Sequence, residues 1–239
     1  PATESCLTRS GDGGETWSGP EVFLGGYQCP CLTRLGDGVL VHSTHRMELA
    51  PGEMASEQQA GVRATPWPGI HSGTAIWRSE DEGRAWGEPV YLPGVPGQAA
   101  LHPHLHPPVA VRGNVLEEST GRLLISAYTI EDPNVAHVFA SEDGGRSWAY
   151  LAPMAEDFNE TFLYETESGA LVAFMRRWSE SAHLHRARSE DGGRSWSVPV
   201  PVCRGYPACA ERLPSGRVLL VYGFRFEEGY GVRARVLSA

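Results

Sequence analysis

An all-β fold built from repeated four-stranded antiparallel units is the prediction from this sequence, and three observations carry it. An eight-residue pattern, Ser-x-Asp-x-Gly-x-x-Trp, returns four times, at Ser10–Trp17, Ser79–Trp86, Ser141–Trp148 and Ser189–Trp196, with Asp-to-Asp spacings of 69, 62 and 48 residues. A glycine followed by two strand-like residues accompanies it, as Gly38-Val39-Leu40, Gly121-Arg122-Leu123, Gly169-Ala170-Leu171 and Gly216-Arg217-Val218. The third observation is composition. With 28 Gly and 18 Pro in 239 residues the chain is rich in turns, and no segment keeps a 3.6-residue apolar period. Self-similarity of this kind marks a repeat architecture.

Within a unit the order is strand, tight turn, strand, loop, strand, box, strand. Residues 157–203 show it best: TFLYE, LVAFM, HLHRARS, the box at Ser189–Trp196, then VPVPV. Four short antiparallel strands per unit make a β-propeller blade. Residues 1–24 hold the end of a blade: a strand, a box and a last strand. Residues 25–93 form a second blade, 98–153 a third and 157–203 a fourth, and 206–239 supply three strands of a fifth. An insertion from Met47 to Ile70 falls between the second and third strands of the second blade. Ser238 lies where another box would begin, so residues 1–239 are expected to form a single, incomplete propeller domain cut at both ends.

The box residues suit a turn. Asp12, Asp81, Asp143 and Asp191 are each placed to accept hydrogen bonds from the backbone N–H groups just after them. The following glycine permits positive φ. Trp17, Trp86, Trp148 and Trp196 then lay their rings on the sheet. All eight residues are expected to build the fold and not to catalyse.

Composition excludes several function classes. The formal net charge of −9 argues against a broad basic face for nucleic acid. No apolar run is long enough for a membrane-spanning helix. Five scattered cysteines, Cys6, Cys29, Cys31, Cys203 and Cys209, are too sparse for a disulfide framework. Cys29 and Cys31 lack a second pair at metal-ligand spacing and read as structural thiols.

The four boxes are Asp-box (BNR) repeats, and the chain resembles the sialidase-like six-bladed β-propellers, with about four blades present of six. Three stretches sharpen the likeness: GGYQCPCLTRLGDGVLV at 25–41, FNETFLYETESGALVAFMRR at 158–177 and LPSGRVLLVYGFRFEEGYGVRARVLS at 213–238. The resemblance implies three arginines on a sugar carboxylate, a Tyr nucleophile activated by a Glu, and an Asp acid/base. In the second stretch Glu160 occupies the position of the activating Glu. Arg176, sixteen residues later, occupies that of the second arginine. An Arg fork fits a carboxylate bidentately, and Tyr-nucleophile sialidases depart from the usual pair of carboxylates.

Two registers are open for the remaining groups. In the preferred one, the first arginine and the Asp lie before Pro1, and the third arginine and the Tyr lie after Ala239, because the first box needs a blade of its own. In the other, Gln28-Cys29-Pro30-Cys31-Leu32 stands for the family's Arg-x-Pro-x-Leu, with Gln in place of Arg, and the acid/base falls to Glu53 or Glu57. In either register this piece is expected to be inactive alone.

Arg46, Arg176 and Arg225 each end a second strand, an edge that faces the central pocket, where converging arginines favour an anionic or polyhydroxylated ligand. Gln28, Tyr128 and His104 complete the candidate substrate-binding set. His102, His104 and His106 alternate as a metal site might want, but the intervening prolines favour a plain or ligand-facing loop. Glu131, Asp132, Glu227, Glu228 and Tyr230 are read as solvated loop residues, and Glu165 and Glu167 as surface on the opposite edge. No metal or cofactor is expected, and the expected partner is a glycan. The reading is a sialidase-like exo-glycoside hydrolase. A glycosidase for another sugar, or a non-catalytic binding propeller, stands as the alternative.

Overall fold

The computed structural model describes residues 4–48, 70–98, 105–130, 132–179, 183–227 and 229–238. Among these residues every regular element is a strand. The sheets follow the chain in order, and every strand pairing is antiparallel. β1 (Glu4–Leu7) and β2 (Glu21–Gly25) pair across the first box. β3 (Tyr27–Arg34), β4 (Leu40–Glu48), β5 (Ile70–Ser79) and β6 (Val90–Tyr91) form a four-stranded sheet. In the third sheet β7 (Val109–Ala110) and β8 (Val115–Glu117) share one edge of β9 (Leu123–Thr129), followed by β10 (Val135–Ser141) and β11 (Ala149–Glu156). The fourth holds β12 (Phe158–Glu165), β13 (Leu171–Arg177), β14 (His183–Ser189) and β15 (Val200–Arg204). β16 (Ala208–Arg212), β17 (Val218–Phe224) and β18 (Gly231–Leu237) close the series. The chain is thus an all-β propeller of antiparallel blades, with the first strands of neighbouring blades facing one another: β3 meets β8, and β12 meets β8 and β16.

The tight turn between first and second strands depends on glycine. Gly38, Gly121, Gly169 and Gly216 sit at φ of 92°, 83°, 80° and 79°, a region that a Cβ disfavours. The boxes form the turns between third and fourth strands. In the third blade Asp143 Oδ1 accepts from the backbone N–H of Arg146 and Ser147 at 2.9 Å each. Ser141 donates its hydroxyl to Asp143 at 2.8 Å and accepts from the N–H of Gly145 at 2.8 Å. Asp191 repeats the arrangement one blade later. These bonds, led by that from the serine hydroxyl four residues on, hold both carboxylates at about 2.

The tryptophans differ more than their shared pattern predicts. Trp148 is 8% exposed and joins the core, whereas Trp17 is 62% exposed. Among the described residues the sheet of Trp17 has two strands, so its ring lacks the inner strands that Trp148 lies on. The core itself sits between blades. Val41 and Ile76 meet Val109, Ile125 and Phe139 across the second and third. Leu124 and Val138 meet Leu163 and Met175 across the third and fourth. Phe174 and Leu184 meet Leu220 and Tyr222 across the last two. Each such fully buried side chain is worth about 1.5–3 kcal/mol, so the blades hold one another.

At one end of the blades, glutamates tie neighbours together. Glu117 accepts from the N–H of Gly36 at 2.6 Å, and Glu165 accepts from the N–H and hydroxyl of Ser119 at 2.8 Å each. Glu167 pairs with Arg212 at 3.1 Å. Glu165 and Glu167 thus lie at the surface on the edge opposite Arg176, as expected, and each also reaches a group on the adjacent blade.

Candidate active site

The opposite end of the first strands carries the candidate site, and it is built from bulges. In the fourth blade Phe158 faces Arg177 and Thr161 faces Met175, so β12 carries one residue more than β13 across that interval. The extra length falls at Asn159 and Glu160. A bulge of this kind re-aims a side chain that regular pleating would place on the blade face. Asn159 is fixed by a 2.8 Å bond from its amide to Oδ1 of Asn134, on the neighbouring blade.

Glu160 is 6% exposed. Its Oε1 accepts from Nη1 of Arg176 at 3.0 Å and from Nη1 of Arg112 at 3.1 Å. Oε2 of Glu160 and Nε of Arg176 are buried and take no partner within the protein. Two guanidinium groups on one carboxylate leave a net positive charge, which is less screened at Arg176, 16% exposed, than at Arg112, 36% exposed.

Arg112 was not among the sequence candidates. It lies on a second irregular segment, since Ala110 faces Tyr128 and Val115 faces Ile125, leaving residues 111–114 to bridge β7 and β8. Asn114 docks this segment on the fourth blade: its Nδ2 donates to the carbonyl of Leu163 and its Oδ1 accepts from the N–H of Leu163, both at 3.0 Å. Gly113 makes the approach possible, because a Cβ there would stand 1.9 Å from the carbonyl oxygen of Thr161. Arg112 is thereby delivered across the blade boundary to Glu160. The one sequence signal for this was the glycine itself.

Aromatic groups frame the arginines. The guanidinium of Arg176 lies 4.1 Å from the ring centroid of Tyr206 and 5.7 Å from that of Trp178. Arg225, from beyond the end of β17, lies 5.3 Å from the same Tyr206 ring. Burial raises the phenol of Tyr128, and the Glu160 charge raises it further, against the opposing pull of Arg112 and Arg176. A phenol so held is a hydrogen-bond donor at neutral pH. Burial also raises the thiol of Cys29, which sits at φ 56° in the bulge of β3 near Arg112 and Glu160.

The three arginines expected to share one strand position do not. Cys31 faces Ser43 as Thr161 faces Met175, so the counterpart of Arg176 in the second blade is Thr44, two residues before Arg46. Arg46 stands with a different group, 3.4 Å from Oη of Tyr91 and 5.8 Å from the Tyr27 centroid. Gln28 faces His45 at the β3 bulge, and its carbonyl accepts from the hydroxyl of Thr44. His106 stacks on Tyr91 with centroids 3.4 Å apart. His102, His104, Glu53, Glu57, Glu131 and Glu228 lie outside the described residues. Among the described residues no three His, Cys, Asp or Glu side chains assemble as a metal site.

A family model described as a BNR repeat-like domain matches residues 34–235. The chain belongs to this family. Among solved structures, a protein of unknown function from Dyadobacter fermentans is 31% identical, with a TM-score of 0.82, over 98% of this chain and 68% of that one. The Hadza microbial sialidase Hz136 matches at 20% identity and a TM-score of 0.66, over 92% of this chain and 46% of the sialidase. The α-L-arabinofuranosidase Arb93A from Fusarium graminearum matches at 16% identity and a TM-score of 0.61, over 90% of this chain and 63% of that one. No curated protein matches the sequence. This chain thus shares its fold with solved structures named as glycoside hydrolases of more than one sugar specificity.

Proposed function

We propose that the chain carries the sugar-recognition machinery of a sialidase-like exo-glycoside hydrolase, with the substrate's carboxylate held at Arg176 and Arg112. The observation that carries this reading is the Arg112–Glu160–Arg176 cluster, in which a buried carboxylate faces two partly exposed guanidinium groups and whose net positive charge calls for an anion. Glu160 serves the chemistry in two ways. Its Oε1 sets the two guanidinium groups, and its unpartnered Oε2 is the acceptor for a proton from a phenol or a sugar hydroxyl. Tyr128, held protonated, contributes a donor.

The test is calorimetric titration of the chain with N-acetylneuraminic acid and with its uncharged methyl ester. Charge-assisted hydrogen bonds of about 1.5–3 kcal/mol correspond to roughly a 10- to 100-fold preference for the acid. Arg176→Met is expected to erase that preference. Equal affinity for acid and ester in the unaltered chain would sink the reading. A neutral sugar is the second reading, favoured by the register in which Gln28 stands for a carboxylate-binding arginine and by the arabinofuranosidase likeness. It predicts binding of arabinose oligomers with no effect of charge.

A further inference from the structure

We infer that Trp178 is a stacking platform for a second, uncharged pyranose ring of a glycan whose anionic residue sits at the arginines. This rests on the anionic-sugar reading above. Trp178 is 44% exposed and follows Arg176 by two residues, just past the end of β13. It forms the open end of an alternating row along the rim: Trp178, Arg176, Tyr206, Arg225. Tyr206 has a guanidinium on either side of it in the row and is only partly exposed, whereas Trp178 meets Arg176 alone and stays open. Trp178 therefore offers accessible aromatic surface next to the charge.

The backbone around it is clamped. The N–H of Trp178 donates to the carbonyl of Asp157 at 2.8 Å. The Asp157 carboxylate accepts from Nε of Arg177 at 2.9 Å and from the N–H of Ser179 at 2.8 Å, and the Ser179 hydroxyl donates to it as well. The residues on both sides of the indole thus grip one side chain. Asp157 lies at φ 69°, a conformation that Asp tolerates better than most residues. An exposed tryptophan on a fixed backbone is preorganised, so it loses little conformational freedom when a ligand lands on it. Pyranose rings present a flat patch of C–H bonds that suits the negative face of an indole.

The experiment uses two probes, N-acetylneuraminic acid and 3′-sialyllactose, titrated calorimetrically into the chain and into Trp178→Ala and Trp178→Phe. The unaltered chain should bind the trisaccharide about 3- to 10-fold more tightly than the monosaccharide, the range expected of one aromatic stacking contact. Trp178→Ala should bring the ratio of trisaccharide to monosaccharide affinity to about 1, the ratio cancelling any effect on the monosaccharide that is passed through Arg176, and Trp178→Phe should keep most of the ratio. Retained monosaccharide binding, with an unchanged melting temperature, also shows that the variant is folded. Trisaccharide affinity unchanged in Trp178→Ala, or no trisaccharide preference in the unaltered chain, overturns the inference with the anionic reading intact. Equal binding of monosaccharide acid and methyl ester overturns the anionic reading and, with it, this extension.

Discussion

At the scale of single residues, the site turns on a glycine with no chemistry of its own. Gly113 lets the third blade lie against Thr161, and that contact places Arg112 on Glu160. A methyl group there must push the two strands apart. Gly113→Ala is expected to lower stability by about 1–3 kcal/mol, the usual cost of overpacking, and to weaken acid binding as Arg112 withdraws. Urea unfolding and calorimetry measure the two effects, and a variant that retains both would show that the strands can separate without moving Arg112. Glu160 and Arg176 could be singled out in sequence because one local hairpin holds both and that stretch resembles the sialidase segment. Arg112 and Tyr206 could not, because they arrive from other blades, and no local pattern encodes which bulges meet across a boundary.

Single elements explain why a regular motif has uneven weight. All four boxes read alike, and the hydrogen-bond pattern around Asp143 and Asp191 is the same. What differs is the surface beneath each tryptophan. Trp148→Ala removes a core side chain and should cost about 3–5 kcal/mol. Trp17→Ala, at 62% exposure, should cost under about 1 kcal/mol. Thermal melts of the two variants test this, and equal losses would refute it. The sequence thus shows where the boxes are, while the depth of each ring depends on strands distant in the chain.

Across the whole molecule, packing blade on blade buries several histidines without a charge to welcome a proton. Burial lowers His42 and His45 to about 4 and His71 to about 3, from an ordinary value of 6.5. The unfolded chain therefore binds protons between about pH 6.5 and 3 that the folded chain refuses. Stability is full above that window and falls as pH drops through it. The Asp143 and Asp191 carboxylates, held near 2, contribute their own loss only further down, below the ordinary value of 3.8. Urea midpoints should fall from pH 7 to pH 5, and His71→Gln should flatten that slope. A midpoint flat over this range would contradict the burial argument. The all-β class and the order of the blades were readable from the repeat, because each blade is local in sequence. The central site was only half readable, because it exists where blades converge.

The single oxygen shared by Arg112 and Arg176 has a mechanical consequence. One guanidinium belongs to the third blade and the other to the fourth, so Oε1 of Glu160 works as a rivet through a seam. On the reading proposed above, an anion held by both arginines grips the same seam from the outside. Opening the seam then releases the anion, and filling the site resists the opening, so that occupancy and the closeness of two blades are coupled by mass action.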